Sequence, residues 1–435
     1  MSRAARFPWL ALPTLLLVLR APAAPQPDQS SDKHLGVGSC ASSVCHGAVQ
    51  PPNRPGALMN EFITWSHEDA HAKAYQALLS PQGHKIAAKL GIEAQTSKLC
   101  LACHADNVPE SQRGKKFSLA DGVDCEACHG GAERWIASHS AKSSYAADLK
   151  NGLYPTADLK LRAALCMSCH VGNAEKFATH RIMGAGHPRL SFELDTFLAL
   201  EPVHYRIDEH YRERKPAYTK TESWSRGQLL AAQAQLRNLE GPLAHSAHTF
   251  PELALFNCSS CHDSSMQRLD WRPRQLTRGT DTGSVLLNDA DLRMCWIIAG
   301  ALSAADADKI KELIQALQKD AVSDWGHVGA SSAALRTALT NMLARIEANP
   351  AALIPSVLLD AILQAGIDGE FRDYLGAEQA LMAMDLLMLD ANLAAKYKPQ
   401  RDELFRLLRS DEDYRSAAFT AALSALRDAL RDARP

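Results

Sequence analysis

Eleven cysteines and seventeen histidines are the residues of this 435-residue chain whose types and spacing could do chemistry. Ten of the cysteines form five pairs, and a histidine directly follows the second cysteine of every pair. Four pairs read C-x-x-C-H, in CLACH, CEACH, CMSCH and CSSCH, and the first has two extra spacer residues, in CASSVCH. The eleventh cysteine, Cys295, lies in an apolar stretch and is expected to be a buried thiol.

C-x-x-C-H is the attachment motif of c-type haem. Two thiols bond to one edge of the porphyrin, and the adjacent imidazole then reaches the iron as an axial ligand. The competing interpretations are a zinc half-site and a redox dithiol. Zinc needs no histidine directly after the second cysteine, and a redox dithiol is expected once in a chain. The fourfold repeat therefore predicts covalently bound haem c.

We predict five haem sites, numbered one to five in chain order. The predicted thioether cysteines are Cys40 and Cys45, Cys100 and Cys103, Cys125 and Cys128, Cys166 and Cys169, and Cys258 and Cys261. The predicted proximal iron ligands are His46, His104, His129, His170 and His262. At site one a bulge in the longer spacer could keep both sulfurs and the imidazole in place. The alternative there is a Cys40–Cys45 disulfide with an incidental His46.

Sixteen of the seventeen histidines precede residue 263, so eleven remain there besides the proximal ligands. A second imidazole gives a six-coordinate, low-spin iron suited to electron transfer, and the crowding predicts that many of the eleven are distal ligands. The candidates are His71, beside small alanines on a helix, His139, ten residues after His129, and His180 and His187, which flank a glycine-rich turn. The alternative for each is a surface or hydrogen-bonded histidine. His84, His204, His210, His245 and His248 have less context.

The elements that must position these residues are helical, and the predicted fold class is mainly α. We expect a signal peptide at 1–23, a flexible N-terminus at 24–37, a multihaem domain poor in regular structure at 38–270, a linker at 271–284 and an all-helical accessory domain at 285–435. The alternative for the first segment is a membrane anchor, but its 13-residue apolar run is shorter than the ~20 residues that a spanning helix needs. The proximal histidines of sites two and three are close in sequence, which favours a stacked haem pair.

Charge gives further expectations about partners. The formal net charge of −2 offers no argument for nucleic acid. Residues 285–435 carry 22 acidic and 16 basic residues, so this region could be a docking face; a solvated surface is the alternative. The expected partners are periplasmic or membrane-bound redox proteins.

Three stretches, WSHEDAHAKAY, GVDCEACHGGAERW and HRIMGAGHPRLSFELDTF, together with the haem motifs, resemble the multihaem cytochrome c family typified by the tetrahaem cytochrome c-554 of ammonia oxidation. The resemblance covers roughly residues 38–265. It implies that His71 and His139 are distal ligands, more loosely His180 and His187, and that one haem can lack a distal ligand. The chain departs from the family in its fifth haem site, its C-x4-C-H first site and its long helical C-terminal region.

Two functions follow from this sequence. The first is an electron carrier, in which closely spaced haems pass electrons between periplasmic partners and every iron is six-coordinate. The alternative is a multihaem oxidoreductase that acts on a small nitrogen or sulfur compound at one five-coordinate haem. Arg181 or Arg189 could then hold an anion, or could be a plain surface residue. With either function, the helical domain could serve as a scaffold that docks the protein onto a membrane complex.

Overall fold

The computed structural model describes residues 25–50, 56–244, 250–262 and 274–432. The predicted signal peptide at 1–23 lies outside the described residues, as do His245 and His248. Within those ranges the regular structure is helical, with two isolated β-bridges and no strand, so the predicted mainly-α fold is confirmed. No helix in the described ranges is long and apolar enough to cross a membrane.

The first half of the chain is a series of short helices that follow the cysteine motifs. They are α1 Glu61–Glu68, α2 Ala74–Leu78, α3 Pro81–Leu90, α4 Lys98–His104, α5 Cys125–His129, α6 Ile136–Ser140, α7 Tyr145–Lys150, α8 Leu159–His170, α9 His180–Gly184, α10 Leu194–Leu200 and α11 Glu209–Arg212. Short 3-10 helices lie at Pro27–Gln29, Val37–Ser39, His71–Lys73, Glu110–Gln112, Leu119–Asp121, Leu253–Leu255, Cys258–Ser260 and Gln275–Thr277. Side-chain caps start several of these helices: Asp124, for example, accepts from the backbone N–H groups of Glu126 and Ala127 at 2.9 and 3.1 Å.

The second half is a bundle of longer helices. They are α12 Lys220–Glu240, α13 Ala290–Leu302, α14 Ala304–Ser323, α15 Val328–Ala348, α16 Pro355–Ile367, α17 Tyr374–Asp390, α18 Lys398–Leu407 and α19 Ser416–Asp432, with 3-10 turns at Trp325–His327 and Pro350–Ala352. One apolar core runs through these helices and reaches back to α8 and α10. The all-helical character expected for 285–435 is therefore present.

Helix α12 corrects the expected boundary between the two regions. We placed residues 220–240 in the multihaem domain, but α12 packs against α13, α15 and α17 as well as against α8. Its Trp224, Leu229 and Leu236 are fully buried, and so are polar residues on its other faces, such as Ser225 and Gln228. A helix buried on every side shows no amphipathic pattern, which is why the sequence did not reveal it as part of the bundle.

The segment before the first motif is a second correction. We expected residues 24–37 to be flexible, but residues 25–37 pack against the second and third motif regions. Asp32 is paired with Arg134 at 2.5 Å, and His34, with no exposed surface, donates to Asp106 at 2.6 Å. The Glu126 carboxylate accepts from three backbone N–H groups, two of which belong to this segment. The polar side chains of this segment, such as Asp32 and His34, therefore bind specific partners in the fold.

The expected linker at 271–284 is anchored at its described end. Arg274 is buried and pairs with Asp289 at 3.1 Å. Asp289 also pairs with Arg293 at 2.8 Å, and Arg293 pairs with Asp373 at 2.8 Å. This cluster of alternating charges ties the linker to α13 and to the segment before α17. Buried charges of this kind are stable only when each has a partner.

Candidate haem-binding site

Local helix geometry places the groups of three motifs together. Helices α4 and α8 end on His104 and His170, and α5 spans the third motif from Cys125 to His129. Residues at i, i+3 and i+4 share one face of a helix, so both thiols and the imidazole of each motif lie on the same side. Site five begins on a 3-10 turn at Cys258–Ser260.

Site one lies on a turn, and its two cysteines are not joined. All eleven cysteines in the structure are free thiols, including Cys40 and Cys45. The disulfide that remained as an alternative for this site is therefore absent from the fold. Both thiols are available for attachment, as they are at the other four sites.

Four of the five proximal histidines face a second histidine. The ring centroids are 6.0 Å apart for His46 and His139, 6.3 Å for His104 and His187, 6.1 Å for His170 and His71, and 5.9 Å for His262 and His180. Metal–nitrogen bonds to imidazole are about 2 Å, so two imidazoles on opposite faces of one iron have centroids about 6 Å apart. The four spacings fit that separation, and the four facing rings belong to the four candidate distal ligands.

Hydrogen bonds fix the Nδ1 atoms of several of these rings. The Nδ1–H of His46 donates to Glu61 at 2.9 Å, that of His71 to Asp69 at 3.0 Å and that of His139 to Asp148 at 3.2 Å. Backbone carbonyls serve the same purpose for two others: His104 donates to Ala74 at 2.9 Å and His187 to Pro188 at 2.7 Å. Each bond sets the tautomer and leaves Nε2 free with its lone pair, as a metal-bound imidazole requires.

The electrostatic environment divides the rings into two groups. Burial lowers the pKa of His104 and lowers that of His170 to about 4, which keeps both imidazoles neutral and able to ligate a metal. The hydrogen bond that His46 donates to Glu61 raises the pKa of His46, and the bond that His71 donates to Asp69 raises that of His71. A carboxylate that holds Nδ1–H in this way also makes the ring a stronger electron donor at Nε2.

His129 is the exception among the proximal histidines. It has no histidine ring facing it at this distance in the part of the chain that the structure describes. Burial, and then the charge of nearby His204, lowers the pKa of His129 to about 3. The Nδ1–H of His204 donates to the Pro202 carbonyl at 3.1 Å, so its Nε2 is also free. We had given His204 little weight because its sequence, between α10 and α11, has neither helical spacing nor a glycine-rich turn.

Contacts between cysteines bring particular sites together. Cys40 of site one lies against Cys125 of site three, and Cys103 of site two lies against Cys169 of site four; within each pair the thiols interact directly and shift each other's pKa. The pKa of the Cys128 thiol, raised chiefly by burial, is raised further by Cys166, so sites three and four are also neighbours. Adjacency of sites two and three, which we expected from their sequence spacing, stays a prediction.

A group of oxygen and nitrogen ligands at Asp69, His71 and Glu201 could by itself suggest a separate metal ion, since its ligand atoms lie within 4.8 Å of one another. The geometry favours a different role, because the His71 ring faces His170 and its Nδ1–H is held by Asp69. A carboxylate, an imidazole and a metal in that order form a common arrangement around metal-bound histidines. Asp69 and Glu201 are the members of this set that the sequence did not single out.

The residues present fit covalent haem c, since each site offers two free thiols next to an imidazole and four offer a second imidazole across from it. Residues 39–130 match the family of cytochrome c554 and c-prime. The match covers the first three motifs and supports a multihaem c-type cytochrome that holds haem c covalently and transfers electrons. No curated protein and no solved structure matches the chain. The individual ligand assignments stay predictions.

Proposed function

We propose that this chain is a periplasmic pentahaem c-type cytochrome that transfers electrons between redox partners through closely spaced, mostly bis-histidine haems. The observation that carries the proposal is the set of four histidine pairs with ring centroids 5.9 to 6.3 Å apart. Histidines that come together by folding from distant parts of the chain, at the separation of two ligands on one iron, are not expected from surface residues.

The haem supplies a one-electron couple, and the residues of the chain set its properties. Two neutral imidazoles per iron keep the coordination closed, so the site exchanges electrons without binding a substrate. Carboxylates at Glu61, Asp69 and Asp148 hold three of these rings in place. Rings fixed in this way move little when the charge of the iron changes, which favours rapid electron transfer.

The contacts between cysteines support a continuous path. They join sites one and three and sites two and four, and a weaker charge interaction of Cys166 with Cys128 supports a link between sites four and three. Site five connects to site two through the short segment that carries both candidate distal ligands, His180 on α9 and His187 just after it. The path thus reaches from the N-terminal motif to the motif beside the helical bundle.

At site three we propose His204 as the sixth ligand. It lies close enough to His129 to lower the pKa of that ring, and its Nδ1–H is already committed to Pro202. With His204 bound, all five irons are six-coordinate and the carrier function is complete.

The alternative function, an oxidoreductase for a small nitrogen or sulfur compound, has one place to act. His129 lacks a facing histidine ring among the described residues, so an iron held by it without His204 would be open on one side. Arg181 and Arg189, which we considered as anion ligands, have other partners: Arg181 donates to the Leu90 carbonyl at 3.2 Å, and Arg189 pairs with Glu378 at 3.0 Å. Their positions favour structural roles.

Periplasmic location and partners are part of the proposal. The N-terminal sequence, with Arg3 and Arg6 before a 13-residue apolar run, supports export, and haem attachment of the c type is compatible with it. The acidic excess of residues 285–435 supports docking onto a basic patch of a periplasmic or membrane-bound redox protein.

The test is expression of the full chain with c-type maturation, followed by intact mass and haem absorbance per protein. Five attached haems that are all reversibly reduced and reoxidised support the proposal. Four or fewer attached haems contradict the pentahaem assignment, and peptide mass mapping names the missing site. Steady turnover of hydroxylamine, nitrite or a sulfur oxyanion would favour the oxidoreductase.

A further inference from the structure

A cavity lies where site four, site five and the helical bundle meet. His170 and Cys258 line it from the haem sites, and Asn288, Asp291, Glu378 and Gln379 line it from the bundle. Two of the charged groups around it neutralise each other, since Arg189 pairs with Glu378 at 3.0 Å and Ser191 donates to the same carboxylate. Asp291 forms no ion pair among the described residues, although it lines the same cavity as His170 of site four and Cys258 of site five.

Asp291, on α13, is buried, with 4% of its surface exposed. One carboxylate oxygen accepts from the amide of Gln235 on α12 at 2.5 Å, and the other has no hydrogen-bond partner within the described chain. The nearest cation on the same helix is Arg293, which is committed to Asp289 and Asp373 at 2.8 Å each. Among the described residues, the other ionisable groups that interact with Asp291 are Glu193, directly before α10, and the thiol of Cys295 on α13.

These surroundings make the charged form of Asp291 unfavourable. Burial first and then the charge of Glu193 raise its pKa to about 7, because Arg293 only partly opposes them. Burial also raises the pKa of Glu193 to about 7, against the backbone N–H groups of Asp195 and Thr196 that donate to its carboxylate. A nearby change of charge moves the protonation of a carboxyl group in such surroundings.

We propose that Asp291 binds a proton when the haems at sites four and five are reduced and releases it when they are oxidised. The inference rests on the proposed function, because it needs haem at these two sites. The balance is simple: one electron from the redox partner converts one ferric iron to ferrous, and one solvent proton adds to a carboxylate oxygen of Asp291. No bond to carbon or iron forms or breaks. The added electron lowers the local charge, and in the protein interior this change is felt more strongly than in water.

The first experiment measures the reduction potentials of the full holoprotein by spectroelectrochemistry between pH 5.5 and 8.5. In the native protein a subset of the haems shows potentials that fall as pH rises through the region of pH 7, because reduction takes up a proton there. Asp291→Asn keeps the shape of the side chain but cannot lose a proton, so this dependence flattens. Asp308→Asn, at an exposed carboxylate on α14, keeps the native dependence and serves as the control.

A second experiment counts protons directly. Reduction of the native protein in weak buffer at pH 7 takes up protons, measured with an indicator dye, and Asp291→Asn takes up fewer, by up to about one per protein. Gln235→Leu removes the amide that stabilises the Asp291 anion. The pH range over which the reduction potentials change should therefore move to higher pH. If Asp291→Asn fails to fold, Gln235→Leu still tests the role of Asp291.

The outcomes separate the two proposals. If all five haems are attached and Asp291→Asn keeps the native pH dependence and proton count, the role of Asp291 is wrong. If the reduction potentials of Gln235→Leu change over the same pH range as those of the native protein, the role of Asp291 is also contradicted. If peptide mapping finds no haem at sites four and five of the native protein, the proposed function fails instead.

Discussion

The imidazole rings of His46 and His139 lie parallel to within 14°, with their centroids 6.0 Å apart, although one follows the first cysteine pair and the other the third. Each ring donates its Nδ1–H to a carboxylate, Glu61 for His46 and Asp148 for His139. Each ring therefore keeps its Nε2 lone pair, as the proposed ligation of one iron requires. This pair also brings the unusual first motif into the same arrangement as the three other paired sites.

Replacing His139 should open the iron at site one. In His139→Ala we expect one haem in five to change from low-spin to high-spin, because no other imidazole in the described part of the chain lies opposite His46. Quantitative EPR of the oxidised protein measures the change. His84→Ala removes an exposed histidine of α3 and is the control, with an unchanged spectrum. An equally unchanged spectrum in His139→Ala would contradict the pairing.

Removing the thiols of the first motif tests whether it attaches haem. The double variant Cys40→Ser, Cys45→Ser should lose one haem, measured as a drop of one haem mass per chain by intact mass spectrometry. Cys295→Ala is the control, because this thiol is buried in the bundle core and faces the Gln228 carbonyl. It should keep every haem. If the double variant keeps its full haem content, Cys40 and Cys45 do not attach haem.

The carboxylate behind His71 should strengthen this ligand. Asp69→Asn keeps a hydrogen-bond acceptor but loses the negative charge that orients and polarises the ring, so cyanide should displace His71 about 10- to 100-fold more readily. Spectroscopic cyanide titration measures the difference. Asp324→Asn is matched to it, because Asp324 pairs with His327, an exposed histidine that is not a candidate ligand. If the two variants bind cyanide alike, Asp69 does not support a ligand.

Breaking the buried charge cluster should destabilise the helical bundle. Arg293 has no exposed surface and pairs with Asp289 and Asp373, so Arg293→Met leaves these two buried carboxylates to share Arg274. We expect a loss of about 3–5 kcal/mol in the free energy of unfolding, measured by guanidinium denaturation. Arg406→Met removes an exposed ion pair on α18 and should leave the midpoint where it is.

The same cluster gives a pH dependence of stability. Burial opposes the charge of Asp373, but Arg293 and Arg274 outweigh it and hold its pKa well below the ordinary value. A depressed carboxyl pKa contributes stability above the unfolded-state value, about 3.9, and that stability is lost as pH falls below it. The native protein should therefore lose stability below about pH 4 more steeply than Arg293→Met. If the native protein and Arg293→Met lose stability in parallel below pH 4, Arg293 does not lower the pKa of Asp373.

The cysteine motifs could be predicted because covalent attachment fixes their spacing within a few residues. The pairing of His139 with His46 and of His187 with His104 could not, since it depends on how distant segments fold together. His204 shows the limit most clearly: its position beside His129 depends on the loop between α10 and α11, and nothing in the local sequence marks it. The burial of α12 could not be predicted because its buried faces carry polar residues such as Ser225 and Gln228, which a sequence pattern assigns to the surface.

Quantitative EPR of the oxidised holoprotein, scaled to its iron content, tests the central claim most directly. The account predicts that five low-spin ferric haems explain all the iron, and that His204→Ala converts one of them to high-spin. A native protein in which about one haem in five is already high-spin, and responds to cyanide or nitrite, would contradict the closed carrier. It would place an open iron at His129 instead.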